Sequence, residues 1–255
     1  MSTFRTAPVP HGRLVRLADE FWTGVGGSPD FPRDPEPLIP LYVPVKVEPV
    51  PNLSCAAIAA WAAAHPALVV EALPDRPLRG CLITHAGRAL LLVDPADPPD
   101  QRRFTIAHEL GHFLVEVSEP RRRVRDSVGA GALEVLDGLR LPTVEERIHA
   151  VLAGAPLAAQ VHLMARKEDG SIGCPRVADA ECAADRFALE LLAPVVSLRP
   201  SVLPLASLPR QQRWRIITAR LTQYHGLPQI VASGYARDLV QDLTGGESVR
   251  ERFGL

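Results

Sequence analysis

The residues best suited to chemistry stand in one short stretch, His108-Glu109-Leu110-Gly111-His112. In a helix, side chains four positions apart lie on the same face, so His108 and His112 can bind one metal ion. Glu109 lies about 100° around the helix axis from His108. Its carboxylate would stand beside the metal and could take a proton from a metal-bound water. This His-Glu-x-x-His pattern is typical of zinc-dependent hydrolases, and it predicts Glu109 as catalytic base between two histidine ligands.

The residues around the motif predict a helix from about 100 to 115. Most of them are good helix formers, and Gly111 is the exception. A glycine costs a helix about 0.5–1 kcal/mol relative to alanine, so its presence indicates close packing beside the metal. Apolar neighbours that could hold the helix against a core are Phe104, Ala107, Leu110, Phe113 and Leu114.

Two histidines do not complete a hydrolytic zinc site, which normally takes three protein ligands and leaves a fourth position for water. The metzincin class would supply its third ligand as a histidine at position 118. Positions 115 and 118 hold Val115 and Ser118, so that class is excluded. A helix predicted over 177–192 offers Glu181 as the third ligand. Glu190 on the same helix is a rival that faces a different direction.

Asp185 follows Glu181 by four positions, so both carboxylates lie on one helix face. The small residues Ala184 and Ala188 stand among them and permit another helix to approach closely. We predict that Glu181 ligates the metal. Asp185 could accept the second ring proton of a histidine ligand and so fix its tautomer.

The composition predicts a soluble protein. The chain has 255 residues, 47% of them apolar and 22% charged, with a net charge of −1. That balance lacks the basic excess of a nucleic-acid-binding surface. The most apolar window, 55–64, is about half as long as a membrane span requires. The N-terminus shows no signal peptide, and the four cysteines lack C-x-x-C spacing, as expected of free thiols in a reducing cytoplasm.

The sequence resembles the ImmA/IrrE-type metallopeptidases of bacteria and their mobile elements. The resemblance rests first on Arg103-Phe104-Thr105-Ile106-Ala107-His108-Glu109-Leu110-Gly111-His112. It rests also on Glu181-x-x-Ala184-Asp185-Arg186-Phe187-Ala188-x-x-Leu191-Leu192-Ala193-Pro194, and the strand at 79–82 has a similar look. Two motifs in this order are specific. The family's usual Asn is Asp185 here, its usual Met is Ala193, and the two motifs are farther apart than in compact members.

The resemblance implies a gluzincin-like α+β fold, with a small mixed or antiparallel sheet before the His-Glu helix and a mostly helical C-terminal half. It implies Zn²⁺, with Mn²⁺ as the alternative in vivo, held by His108, His112 and Glu181, and Glu109 as base. It also implies a substrate, a helix-turn-helix repressor on a separate chain, cut during a stress or DNA-damage response or in mobile-element excision.

The chain divides into three predicted parts. Residues 1–51 hold an N-terminal helix, at 12–23, and a proline-rich extended segment in which the prolines exclude regular helix. Residues 52–200 form the metallopeptidase core, with a long insert at 119–176, and residues 201–255 form a helical pair packing on it. Predicted inside these parts are helices at 52–65, 143–152, 214–224 and 227–243, strands at 68–73, 79–85 and 88–93, a hairpin over 161–177, a solvated arginine cluster at 121–125 and a loop at 195–210.

Several alternatives stay open at this level. Candidates for stabilising the oxyanion or contacting the substrate are Tyr224, His225 and His149, which the sequence does not rank. A different function would be a non-cleaving metal-binding regulator that sequesters a repressor or other protein partner. Direct DNA binding through the helices of 211–243 is a third reading, and the near-neutral charge argues against it. We therefore expect neither direct nucleic-acid binding nor a membrane partner.

Overall fold

The computed structural model describes residues 12–63, 74–144 and 175–244. They fall into two compact units that alternate along the chain. The helical unit comprises the residues up to 38, 98–107 and those from 186 onward, and the sheet unit comprises 39–97 and 108–185. The predicted boundaries near 51 and 200 stay predictions.

A three-stranded mixed sheet forms the frame of the sheet unit. Its strands are β1 (Val45–Pro49), β2 (Gly80–His85) and β3 (Arg88–Val93), in the order β1-β3-β2. β2 and β3 are the predicted antiparallel hairpin, and their turn at Ala86 and Gly87 has positive φ at both residues, the conformation that tight hairpins require. β1 pairs parallel to β3. The prediction of a small mixed sheet before the His-Glu helix is therefore confirmed.

Two proline-rich segments that the sequence predicted to lack helix contain short helices. In the segment expected to contain no helix, Ile39–Tyr42 forms the short helix α2 after a 3₁₀ turn. Pro40 lies in its first turn, where a backbone N–H would have no helical partner to lose. The stretch expected to be a loop after 195 contains a helix, Val195–Val202, and a 3₁₀ turn, Leu203–Ser207. Complete burial of Leu198 in that helix offsets the cost of its internal proline.

Of the four described helices that come next after α2, the first two were predicted from the sequence and the last two were not. Helix α3 (Cys55–Ala63) is capped by Ser54, whose hydroxyl accepts the N–H of Ala57 at 3.2 Å. Helix α4 (Pro99–His112) carries the His-Glu motif and continues without a break into a π-helical segment, Phe113–Ser118. Helix α5 (Glu119–Val128) and helix α6 (Gly131–Leu136) come next.

The arginine cluster at the start of the predicted insert is only partly solvated. Arg121 on α5 forms a bidentate ion pair with Asp137, at 2.6 and 2.9 Å, and its side chain is largely buried. Its guanidinium also lies against the hairpin turn at Gly87. Arg122, Arg123 and Arg125 are exposed, as predicted. The prediction of a wholly solvated face is thus wrong for Arg121, because sequence did not reveal its distant partner.

Helices make up the described C-terminal part, as the fold-class prediction required. They are α7 (Pro175–Leu192), α8 (Val195–Val202), α9 (Arg210–Gln223) and α10 (Gln229–Thr244). In the helical unit, α1 (Gly12–Gly24) presents Trp22, whose indole N–H donates to the carbonyl of Leu191 at 3.1 Å. α9 and α10 pack against each other, and Trp214 donates to the carbonyl of Ser233.

Some predicted elements lie outside the described residues. These are the strand at 68–73, all but the first two residues of the helix at 143–152, and the hairpin over 161–177 except for its last residues, which begin α7. In the part of the chain that is described, no single helix has the length and apolar character of a membrane span. One bent pair of helices, at 179–192 and 195–207, together meets the criteria for a membrane span, by length and composition only.

Candidate metal centre

The end of α4 brings the two motif histidines together. His108 and His112 are one turn apart, and their Nε2 atoms lie 3.1 Å from each other. The helix is held by a fully buried apolar face that includes Ile106 and Leu110. Helical periodicity alone therefore brings the two histidines together.

Helix α7 supplies the third group. The two carboxylate oxygens of Glu181 lie 3.7 Å from His108 Nε2 and 3.9 Å from His112 Nε2. Glu181 is buried, and the small side chain of Ala184 beside it is buried as well. The ligand atoms of His108, His112 and Glu181 all lie within 4.8 Å of one another. These are the three residues that the sequence analysis singled out as ligands.

Asp185 stands where the sequence analysis placed a proton acceptor. Its Oδ1 lies 2.8 Å from Nδ1 of His108. A carboxylate can only accept, so Nδ1 carries the proton and donates it. That tautomer leaves the lone pair of Nε2 facing Glu181. Asp185 itself is half exposed, with 56% of its side chain in contact with solvent.

Glu116 gives His112 the same kind of partner, and the sequence analysis missed it. Its Oε1 lies 2.6 Å from Nδ1 of His112. The signal was present in the sequence, because Glu116 follows His112 by four positions, the spacing that brings helical side chains into contact. Both histidines therefore donate from Nδ1, and their Nε2 atoms face one another.

This donor set fits a divalent metal ion. Two Nε2 lone pairs 3.1 Å apart beside a buried carboxylate repel one another unless a metal ion or a proton lies between them. Nitrogen and oxygen ligands sit roughly 2.0–2.2 Å from zinc in a tetrahedral site, which separates ligand atoms by about 3.3 Å. The observed separations, from 3.1 to 3.9 Å, surround that value. His108, His112 and Glu181 would hold the metal.

Protons compete for the same site. Burial lowers the pKa of His108, but its hydrogen bond to Asp185 and the charges of Glu109, Asp185 and Glu181 together outweigh burial and raise that pKa above its ordinary value. A proton therefore competes with a metal ion for Nε2 of His108. Metal affinity should accordingly increase as pH rises and His108 loses its proton.

Glu109 is buried next to the ligands without belonging to the converging group. The charge of Glu109 also acts on Cys81 of β2. Burial raises the pKa of the Cys81 thiol to about 12, with smaller contributions from Glu109 and Cys55. Cys81 thus stays a neutral thiol near neutral pH, and the charge beside the ligands is the carboxylate of Glu109.

Part of the chain matches a known protein family. Residues 67–130 match the family model of the IrrE N-terminal-like domain, Peptidase_M78. Those residues are similar to this domain, and the match covers about a quarter of the chain. The match confirms the ImmA/IrrE-type resemblance and, with it, the zincin-like fold. It supports a function of metallopeptidase type. Neither the curated proteins nor the solved structures yielded a match.

The match to the IrrE-like domain covers β2, β3, α4, the π-helical segment and α5. It includes His108, Glu109 and His112, and it ends before Glu181. The connection between the motif and the third ligand therefore comes from the structure, in which α7 places Glu181 beside the two histidines.

The rival ligand Glu190 occupies a different environment from Glu181. It lies on the part of α7 that belongs to the helical unit, and only 4% of it is exposed. Burial raises its pKa to about 7. Among the described residues, the group of converging metal ligands contains Glu181 and not Glu190.

The structure describes two of the three oxyanion or substrate candidates. Tyr224 and His225 belong to the helical unit, where both rings pack on Phe31, at centroid distances of 5.4 and 4.2 Å. Burial, reinforced by Arg220, lowers the pKa of His225 to about 4. His149 lies outside the described residues. Their role in catalysis stays a prediction.

Proposed function

We propose that this protein is a zinc-dependent endopeptidase that acts in the cytoplasm on a helix-turn-helix repressor carried by a separate chain. Cleavage would release genes of a stress or DNA-damage response, or of mobile-element excision. One observation carries the peptidase assignment: His108, His112 and Glu181 converge beside the buried Glu109. The choice of zinc follows from the nitrogen-rich ligand set, and Mn²⁺ is the alternative because supply and geometry also govern selectivity.

Each polar side chain of the centre has a part in this reaction. Zinc held by His108, His112 and Glu181 would supply a water of lowered pKa and would polarise the peptide carbonyl. The carboxylate of Glu109 takes a proton from the attacking water, holds it, and passes it to the amine that leaves. Asp185 keeps Nδ1 of His108 protonated, so that its Nε2 atom stays available as a ligand.

The sheet offers a way to hold an extended peptide. Among the described strands, in the order β1-β3-β2, β2 lies at an edge, and Gly80 to Thr84 on it are each partly exposed. Backbone groups on an edge strand can pair with an added strand, which gives affinity without demanding one side chain. β2 also contacts the π-helical segment that follows His112. A repressor segment bound along β2 would therefore run close to the metal ligands.

The test uses three zinc-loaded proteins: wild type, Glu109→Gln, and Glu190→Gln as a matched control. Each is incubated with the helix-turn-helix protein encoded nearest this gene, and intact masses are recorded. We expect one cut by wild type and by Glu190→Gln. Glu109→Gln should retain zinc but cut about 10²–10⁴-fold more slowly, the usual contribution of a general base.

Three outcomes separate the alternatives. Cutting by Glu109→Gln at the wild-type rate would contradict the role of Glu109. A stable complex with every variant and no new fragments would favour the non-cleaving regulator. A mobility-shift titration of the protein alone with DNA at low salt should stay flat, and a salt-dependent shift would favour direct DNA binding.

A further inference from the structure

We propose that Glu116 is a positioning residue for the metal, acting through His112. Its carboxylate fixes the tautomer and the ring orientation of His112 and thereby directs Nε2 at the metal position. This inference rests on the proposed metal site. It assigns a role to a residue that stands after the His-Glu-x-x-His motif.

The contact has the geometry of a strong hydrogen bond. Glu116 Oε1 and His112 Nδ1 are 2.6 Å apart, which is short even for a bond with an ionised partner. His112 is buried and Glu116 is about one-quarter exposed, so solvent screens the pair only partly. A carboxylate on the far nitrogen of a ligating histidine also makes the near nitrogen a better electron donor.

The backbone around Glu116 is π-helical. The helix changes from α to π geometry at Phe113, directly after His112, and the N–H of Glu119 bonds to the carbonyl of Leu114, five residues earlier. The residues after His112 are thus rotated away from the positions of a continuing α-helix. π-helical insertions of this kind occur frequently at functional sites.

The π-helical segment is anchored well enough to hold a side chain in place. Phe113 and Leu114 are almost completely buried, and the segment contacts β2. Glu116 lies between these anchors and the start of α5 at Glu119. The backbone position of Glu116 is therefore set by the packing of its neighbours, so little backbone freedom remains to be lost when the bond to His112 forms.

The experiment measures the zinc dissociation constant by competition with a chelator of known affinity, for wild type, Glu116→Ala, Glu116→Gln and Glu119→Gln. Loss of an outer partner typically weakens metal binding roughly 10–100-fold, and we expect this for Glu116→Ala. Glu116→Gln should recover part of the loss, because its amide oxygen can still accept from Nδ1. Glu119→Gln is the matched control: it removes a buried carboxylate paired with Arg122 and should bind zinc like wild type.

A second readout keeps the test decisive if Glu116→Ala folds poorly. In zinc-loaded wild type, nitrogen-15 NMR of the histidine side chains should show His112 protonated at Nδ1, and in Glu116→Gln that proton should exchange faster with water. Wild-type zinc affinity in a folded Glu116→Ala protein would overturn the proposal. So would an unprotonated Nδ1 at His112 in the wild type. If the zinc affinities of the variants follow the predicted order but no substrate is cleaved, only the peptidase proposal is contradicted.

Discussion

The metal centre has a local half and a distant half. The local half lies within one continuous helical stretch, in which His108, Glu109, His112 and Glu116 follow one another at helical spacing. The distant half comes from α7, which adds Glu181 and Asp185 from much later in the chain. The first is assembled as soon as its helix forms. The second requires α7 to pack against α4, which makes it the more vulnerable half.

The two halves also differ in how their outer carboxylates are protected. Glu116 is about one-quarter exposed and bonds to His112 at 2.6 Å. Asp185 is 56% exposed and bonds to His108 at 2.8 Å. Solvent screens an exposed ion pair and reduces its worth. The local half should therefore contribute more to metal retention through its outer partner than the distant half does.

Loss of the distant ligand should have the largest effect. Glu181→Ala leaves two histidines and removes the negative charge that balances the metal, so zinc affinity should fall by more than about 100-fold, the upper end of the loss caused by an outer partner. The measurement is the same chelator competition, with circular dichroism to establish that the variant folds. Zinc affinity near the wild-type value would show that the local half binds metal without α7.

Loss of the distant outer partner should have a smaller effect. Asp185→Ala removes the acceptor for Nδ1 of His108, and we expect zinc affinity to fall about tenfold, the lower end for an outer partner. The direct comparison is with Glu116→Ala under identical conditions. An equal or larger loss in Asp185→Ala would contradict the ranking drawn from exposure.

Glu190→Gln should leave the metal centre unchanged and alter only stability. The pKa of Glu190 is about 7 in the fold, above its ordinary value of 4.5. The folded protein therefore binds more protons than the unfolded chain between these values, and the free energy of unfolding falls as pH rises towards 7. Glutamine removes that loss, so the variant should be more stable than wild type above about pH 7, by at most about 3 kcal/mol, and should differ little near pH 4.

Urea unfolding of wild type and Glu190→Gln at several pH values checks this, with zinc content recorded for both. A constant difference between the two proteins across the pH range would show that Glu190 does not titrate as described. Loss of zinc from Glu190→Gln would make Glu190, and not Glu181 alone, part of the metal centre.

The sequence predicted features whose cause is local. The predicted helix at 12–23 is observed at Gly12–Gly24, and the predicted hairpin turns at Ala86 and Gly87, because helical periodicity and turn chemistry act over a few residues. It did not predict that β1 would pair in parallel with β3, a contact across about forty residues of chain. Burial of Leu198 and Val202 likewise makes a helix where prolines suggested a loop.

The same distinction applies to the centre. Histidine and glutamate spacing was sufficient to single out His108, Glu109 and His112. Glu181 was preferred to Glu190 from its helix face and small neighbours, and only the packing of α7 brings it to the two histidines. Glu116 was missed although its spacing was visible. The sequence analysis predicted an outer carboxylate only on α7, at Asp185. Nothing in the sequence marks the change to π geometry after His112.

The central claim is that His108, His112 and Glu181 hold one metal ion beside Glu109. Its most direct test is a crystal structure of zinc-loaded Glu109→Gln protein with data collected on both sides of the zinc absorption edge. The account predicts one strong anomalous peak roughly 2.0–2.2 Å from Nε2 of both histidines and a carboxylate oxygen of Glu181. A peak elsewhere, or a zinc ion bound by the histidines with Glu181 turned away, would contradict it.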